Sequence, residues 1–574
     1  MTTIPDNYRA KKFAIHIGVQ SSARVGVMLD RQNSASLPTS QREVAGGTIG
    51  CLGSAVLPAE GNVCFFTGVP INGPVFDEIN DGTTAGRLFP QYDGPFVGVF
   101  WDADRHVLTV ATDCLGMQPL YIHHADGELT LVSETKAMRG EPDIAAWGAF
   151  ISMGHPIGER TLMDGLKHAP SASVLTYDRA TDQLSTRRYW HWPSPSETWR
   201  NYDFLGSLEA DIRGYAAYGK LGAVLLSGGF DSRLLLFLLL RAGIETHALG
   251  VAHEDEHDDA DGRLARAVAE LSGVRFKMVY PRPDFFSTPA FVDYVKDSDA
   301  AFPSLDLFIA KVASQICSSA VWEGLVPAFA FNTPHQVPGA FDSYRRKEVR
   351  AGDSAAWRAA KFLFRPEIAE AMLDGFSDDL KTAIAEQTQD MFGVVRFIIE
   401  HRSRNRTAMN PLKVFANRTD AFTPGLSKDL MTHAAMIPFE ERQQAQFYKR
   451  MLGSLDRRTL SIPFVSGGEL VKNRRFSASH YWELSRATYT RFLGRHPRLL
   501  SAERLHKTER SSFLGAHLFE HADQWLNPNA RAHMSAVTPD NYLAWKLLFH
   551  WKAWQWLHEG RLDEMLSPLV RPQL

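Results

Sequence analysis

The hydrophobic pattern changes its period partway along the chain. Up to about residue 190, the short apolar runs FAIHIG, SAVLPA, NVCFFTGV, PFVGVFWD, HVLTVAT, PLYIHHA, ELTLVSE and SVLTYD are separated by Gly, Asp and Asn turns. Runs of that length, rich in β-branched and aromatic residues, predict strands. The first part is therefore expected to hold sheets with one or two helices, ending near the Pro/Ser-rich WPSPSE at 192–197. Beyond residue 200 strand and helix patterns alternate. AVLLS predicts a buried strand, DSRLLLFLLLRAG a helix closed by Gly243, THALGVA a second strand, and DADGRLARAVAELSG a second helix ended by Gly273. Strand, helix, strand, helix implies a parallel sheet. From about 350 onward the period is helical, as in KFLFRPEIAEAMLDGF and NYLAWKLLFHWKAWQWLHEG. The aromatics of the second stretch are expected to pack a core rather than line a cofactor site.

A chain of 574 residues exceeds one ordinary core, so two or three domains are expected. Hydrophobic residues at 44% and charged residues at 22% are those of a soluble globular protein. A formal charge of −3 argues against nucleic acid as a partner. The longest apolar run, LLLFLLL, is far short of a membrane span. MTTIPDNYRAKKFAIHIG has no secretory pattern, and Cys51, Cys64, Cys114 and Cys317 have no CxxC spacing. A cytoplasmic protein without a disulfide framework or cysteine zinc site is expected.

The chemistry concentrates in AVLLSGGFDSRLLLFLLLRAG, residues 223–243, where a buried run is broken by two glycines, two hydroxyls, a carboxylate and a cation. A strand entering a glycine pair and then a helix suits phosphate. The glycines let backbone N–H groups approach an anion, and the helix N-terminus adds about half a positive charge. Ser227 and Ser232 can donate to phosphate oxygens, Asp231 can hold Mg²⁺ that bridges phosphates, and Arg233 can pair with a phosphate or a substrate carboxylate. The spacing is neither GxxxxGK[ST] nor GxGxxG. Ser227-Gly228-Gly229-Phe230-Asp231-Ser232 resembles the pyrophosphate loop of ATP pyrophosphatases.

The first half carries further motifs: DGPFVGVFWD (93–102), TDCLGMQPLYIHHADGELTLVSETKAM (112–138), TLMDGLKHAPSASVLTYD (161–178) and RYW (188–190). These resemble the class II glutaminase domain of asparagine synthetases, in which Asp-x-Leu-Gly-x-x-Pro-Leu-Tyr and Ser-Glu-x-Lys-Ala recur. The likeness spans roughly residues 13–275. It implies the asparagine synthetase-like family, with β-lactam synthetases and lasso peptide cyclases as relatives. The implied fold is an α+β Ntn-hydrolase-like sandwich over 1–195, followed over 200–574 by an α/β ATP-pyrophosphatase (adenine nucleotide α-hydrolase-like) domain with a helical C-terminal part.

The resemblance implies ATP and Mg²⁺ as cofactors. Leu226 through Ser232 are expected to bind the nucleotide, with Leu249, Gly250 and Val251 offering backbone groups to adenine. Glu323-Gly324, in SSAVWEGLVPAFAFNTPHQ (318–336), are expected to open a second loop. Ala328 stands where the family has a second metal-binding Asp, so Glu323, Asp297, Asp299 or Asp306 would substitute, or metal binding would weaken. A distal lysine that stabilises developing charge is assigned to Lys449, Lys472 or Lys507. Thr2 stands where a working glutaminase has its nucleophilic cysteine, and about a dozen residues precede the first strand, so no glutamine hydrolysis is expected. HEDEH at 253–257 matches HExxH but lies in an acidic stretch that is poor helix material, and is read as a solvated loop. The expected activity is an AMP- and pyrophosphate-forming amide synthetase acting on a small-molecule or peptide carboxylate and an amine. A homodimer or a biosynthetic partner protein is compatible with this reading. The alternatives are a nucleotide-binding scaffold without turnover and a glutamine-hydrolysing asparagine synthase.

Overall fold

A computed structural model describes residues 3–194, 196–251, 260–279, 289–298, 318–324, 331, 341–342, 344–345, 351–407, 412, 415, 419–463, 465–466, 469–470, 516–519, 523–534, 538 and 541–566. Eleven strands build the first sheet: β1 (Arg9–Ile17), β2 (Thr39–Val44), β3 (Gly47–Gly53), β4 (Val63–Gly68), β5 (Phe96–Asp102), β6 (Val107–Thr112), β7 (Tyr121–Ala125), β8 (Glu128–Val132), β9 (Lys167–His168), β10 (Ser173–Asp178) and β11 (Gln183–Arg188). Their order is β11-β10-β6-β5-β4-β1-β8-β7-β9, with β3 pairing β1 and β2. Arg9 and Ala10 pair with β4 and Ala14 to Ile17 with β8, while β3 pairs β1 from Ala10 to Ile17. A register irregularity between Ala10 and Lys12 lets β1 pass from one half of the sheet to the other.

Period-2 alternation explains how the two halves stack. Phe13, Ile15 and Ile17 of β1 share one buried cluster with Val97, Val99 and Trp101 of β5 and with Leu129 and Leu131 of β8. The outer faces are covered by helices: α1 (Ser21–Gln32) buries Val25, Met28 and Leu29, and α2 (Gly82–Leu88) places Ala85 and Leu88 beside Phe96 and Phe100. The first part is thus an α+β sandwich, as expected, but with a third helix, α3 (Ile144–Met153). SAVLPA is irregular, and the strand in that region is β3, just before it. β2 and β11 escape a hydrophobic reading because TSQREV and QLSTRR have no buried position.

After α4 (Phe204–Ala216), five strands form a second sheet: β12 (Gly222–Leu225), β13 (Thr246–Val251), β14 (Phe276–Val279), β15 (Ala320–Trp322) and β16 (Asp420–Phe422). Their order is β14-β13-β12-β15-β16, and every pairing is parallel. α5 (Phe230–Arg241) and α6 (Ala260–Ser272) connect the first three strands. Gly243 and Gly273, at φ +71° and +73°, supply the left-handed residue that ends each helix.

The helical remainder packs back on the sandwich. Helix Pro366–Ala385 crosses α3 so closely that a Cβ on Gly148 would meet the Met372 carbonyl oxygen at 1.8 Å. KFLFRPEIAEAMLDGF is two helices rather than one, because Pro366 starts the second. In helix Tyr542–Glu559, Trp545 and Trp551 are fully buried and Trp551 packs edge-on against Trp147, so these aromatics are core, as expected.

Candidate nucleotide site

Strands β12, β13 and β14 follow one another outward in one direction, whereas β15 lies on the other side of β12. That reversal makes a crevice at the C-terminal ends of β12 and β15, where open parallel sheets bind ligands. Residues 226–232 lie there. Leu226 donates its N–H to Leu249 O at 2.8 Å, tying the loop to the end of β13. Gly324, after β15, approaches from the other side: a Cβ there would sit 3.1 Å from the Asp231 carbonyl and the Ser232 nitrogen. The fold therefore brings Leu226–Ser232, Leu249–Val251 and Glu323–Gly324 to one edge.

The loop is held by its own hydroxyls. Ser232 Oγ accepts from Ser227 N at 3.0 Å and lies 2.9 Å from Ser227 Oγ, which in turn accepts from Gly229 N at 3.2 Å. Gly229 is the residue before α5, in an extended conformation (φ −76°, ψ 176°), and no side chain caps the helix. The positive end of the α5 dipole thus faces the crevice.

Asp231, in the first turn of α5, accepts a hydrogen bond from the Tyr448 hydroxyl. Withdrawal from water pushes its carboxyl up to about 7, opposed by that hydrogen bond. Tyr448 belongs to helix Gln446–Leu455 and stacks on Phe230, with ring centroids 5.4 Å apart. Sequence patterning missed it, because an aromatic at a buried position of an amphipathic helix reads as core.

Arg233 corrects an expectation. It is fully buried and donates to the carbonyls of Gly228, Thr459, Ile462 and Pro463 at 2.9–3.2 Å. Its guanidinium ties residues 459–463 to the loop rather than reaching toward a phosphate or substrate. Asp297 is likewise not a second metal ligand at the loop, because it is buried and accepts from Ser34 Oγ of the sandwich at 2.6 Å. Glu323 stands at the crevice. Lys449 follows Tyr448 on the helix, and its ammonium makes no ion pair or hydrogen bond among the described residues; burial lowers its pKa. Lys472, Lys507, Ala328, Asp299, Asp306 and HEDEH lie outside the described residues, as does the side chain of Val251.

The first-half motifs shape turns and joints. Asp113 of DCLGMQPLY accepts the N–H groups of Leu115, Met117 and Gln118 at 2.9–3.0 Å. Gly116 takes φ +63°, and its carbonyl receives Arg404 from the helical part at 3.2 Å. In SETKA, Glu134 lies between Lys12 and Lys136 at 2.8 and 2.7 Å. Burial lowers the Lys12 ammonium to about 8.

Among the described residues no group of three or more His, Cys, Asp or Glu could hold a metal, and no helix is long and apolar enough to cross a membrane. Mg²⁺ commonly uses one or two carboxylates and completes its shell with phosphates and waters. The partly buried Asp231 oxygens at an uncapped helix N-terminus fit that donor set.

Residues 83–190 match a glutamine amidotransferase domain family. Over 186 residues the chain is 25% identical to asparagine synthetase [glutamine-hydrolyzing] 3 of Bacillus subtilis (strain 168), covering 29% of this chain and 30% of that protein. Among solved structures, glutamine phosphoribosylpyrophosphate amidotransferase from B. subtilis, complexed with ADP and GMP, is similar at 12% identity and a TM-score of 0.23. That match covers 46% of this chain and 65% of the other. Glutamine-dependent NAD+ synthetase from Acinetobacter baumannii, in complex with ADP, is similar at 18% identity and a TM-score of 0.13, covering 28% of this chain and 38% of the other. The class is that of proteins joining an amidotransferase-type sandwich to a parallel α/β sheet. Within it, residues 83–190 carry the amidotransferase-type domain, and over less than a third of its length the chain is similar to an asparagine synthetase.

Proposed function

We propose that this protein is an ATP-dependent, AMP- and pyrophosphate-forming amide synthetase that adenylates a carboxylate and passes the acyl group to an amine. The observation that carries this reading is the uncapped N-terminus of α5, with Ser227, Gly228, Gly229 and Ser232 around it, at the sheet's switch point. The loop 227–232 and the positive end of α5 would receive the departing pyrophosphate, whose oxygens would replace the hydroxyl contacts the loop makes with itself. Asp231, with Glu323 nearby, would hold Mg²⁺, which neutralises phosphate charge as it builds. Arg233 keeps residues 459–463 against the loop, so the two reactants meet in a fixed geometry. In the binding sites the substrate carboxylate attacks the α-phosphate of ATP, pyrophosphate leaves, and the amine then displaces AMP.

Glutamine hydrolysis is not part of the proposed activity. Thr2 stands where a glutaminase of this type has its nucleophilic cysteine. Cys51 and Cys114 are buried, and burial raises the thiol pKa of both and of Cys64, away from the thiolate form. The amine therefore comes with a substrate, as in an intramolecular cyclisation of the macrolactam or β-lactam type, or as free ammonia. The reaction would run in the cytoplasm, where ATP is plentiful.

ATP–pyrophosphate exchange with Mg²⁺, over carboxylates from aspartate to small peptides, tests the reading. Exchange with one class of acid, abolished by Asp231→Ala, is the expected result. A second reading, a nucleotide-binding scaffold, is favoured by how completely Tyr448 and the 459–463 carbonyls engage Asp231 and Arg233. ATP binding without exchange would establish it. Glutamate release from glutamine would return the glutaminase to the scheme.

A further inference from the structure

Where β1 meets β16, three cations converge on one carboxylate. Asp420, the first residue of β16, is buried. Its Oδ1 accepts from Lys11 Nζ at 2.7 Å, and its Oδ2 from Arg9 Nη2 at 2.8 Å and Lys220 Nζ at 2.7 Å. Arg9 and Lys11 belong to β1 of the sandwich, whereas Lys220 lies in the loop before β12 and Asp420 opens β16 of the parallel sheet. The second carboxylate in reach, Asp6, is 63% exposed; it takes Arg9 Nη1 at 3.0 Å and lies 3.6 Å from Lys220. Three positive charges thus face two negative ones, with one of the negative pair largely in water. Arg9 Nε is buried with no acceptor among the described residues, an unfavourable state for a charged donor. These residues line a cavity of about 50 Å³, together with Gln118. A water needs roughly 10–15 Å³ of such volume, so the space suits a few waters or one small ion.

We infer that this cavity between β1 and β16 is a binding site for a single compact inorganic anion, a halide or small oxyanion. The anion balances the surplus charge of Arg9, Lys11 and Lys220 and staples the sandwich to the parallel sheet. The site is separate from the nucleotide loop, so it stands or falls independently of ATP turnover.

Thermal unfolding of the full-length protein, at constant ionic strength in sodium gluconate, provides the test. Chloride or inorganic phosphate replaces part of the gluconate, an anion too large for the cavity. A saturable rise in Tm with chloride or phosphate is expected. Lys220→Gln, at a partly exposed position, should weaken the response about tenfold, the value of one charge-assisted hydrogen bond; Lys11→Gln serves as a second variant. A response to chloride alone identifies a halide site, and a response to phosphate an oxyanion site. No response, one that gluconate reproduces, or one unchanged in both variants overturns the inference.

Discussion

At the scale of single residues, the loop shows how one hydroxyl can decide the behaviour of a carboxylate. Asp231 sits in a partly dry position and accepts from Tyr448, so the phenol orients it and draws its carboxyl back toward the ionised form. Partners that hold a metal-binding carboxylate are commonly worth 10–100-fold in metal affinity. Tyr448→Phe keeps the stack on Phe230 and removes only the hydroxyl. The Mg²⁺ concentration giving half-maximal pyrophosphate exchange should then rise about tenfold or more, with little change in the rate at saturation. An unaltered Mg²⁺ dependence would show that Tyr448 does not orient the carboxylate. The Ser-Gly-Gly-Phe-Asp-Ser stretch was legible because its chemistry is local: strand, glycines, hydroxyls and helix start are consecutive. Tyr448 was not, because more than two hundred residues separate it from Asp231 and nothing near it in sequence marks it.

At the scale of elements, packing overrides composition where helices touch without side chains between them. α3 and helix Pro366–Ala385 meet through Gly148, where a Cβ would overlap the Met372 carbonyl, and through Gly375, where one would lie 2.5 Å from Ala145 Cβ. The obstacle at Gly148 is backbone, which cannot swing aside. Gly148→Ala should therefore destabilise by about 1–3 kcal/mol, the usual cost of overpacking, and lower Tm. A Tm equal to wild type would mean that the helices can separate freely. The amphipathic periods predicted that helices exist here, but not which face would close to backbone contact. The edge strands β2 and β11 were invisible for the opposite reason: with no buried position they carry no period-2 signal.

At the scale of the whole molecule, buried charges join the sandwich to the parallel sheet. Asp211 of α4 accepts from Gly425 N at 2.9 Å, and the next residues of that turn reach Asp93 of the sandwich, with Lys428 N donating at 3.0 Å. Burial raises the Asp211 carboxyl to about 7. The unfolded chain releases this proton near pH 4, whereas the folded protein keeps it to about 7. Between those values the unfolded state gains, so the group's contribution to stability falls as pH rises. The loss is about 1.4 kcal/mol per pH unit and stays complete above the window. Asp211→Asn cannot ionise and keeps an acceptor for Gly425. Its Tm should gain on that of wild type steadily from pH 4 to pH 7, and parallel pH profiles would contradict this account.

By itself the sequence determined what depends on neighbours in the chain. It determined the change from strand-rich to helical period, the parallel order around β12 and β13, the helix start after two glycines, and motifs that resemble asparagine synthetases. Local backbone preference and hydrophobic period act over a few residues, so they survive in one dimension. The tertiary structure alone decided how distant groups share charge and space. It turned Arg233 inward onto the carbonyls of 459–463, sent Asp297 to Ser34, and brought Tyr448 to Asp231. It also gathered Arg9, Lys11 and Lys220 around Asp420. A buried charge must find its partner wherever the fold supplies one, and for these groups the partners lie two hundred or more residues away.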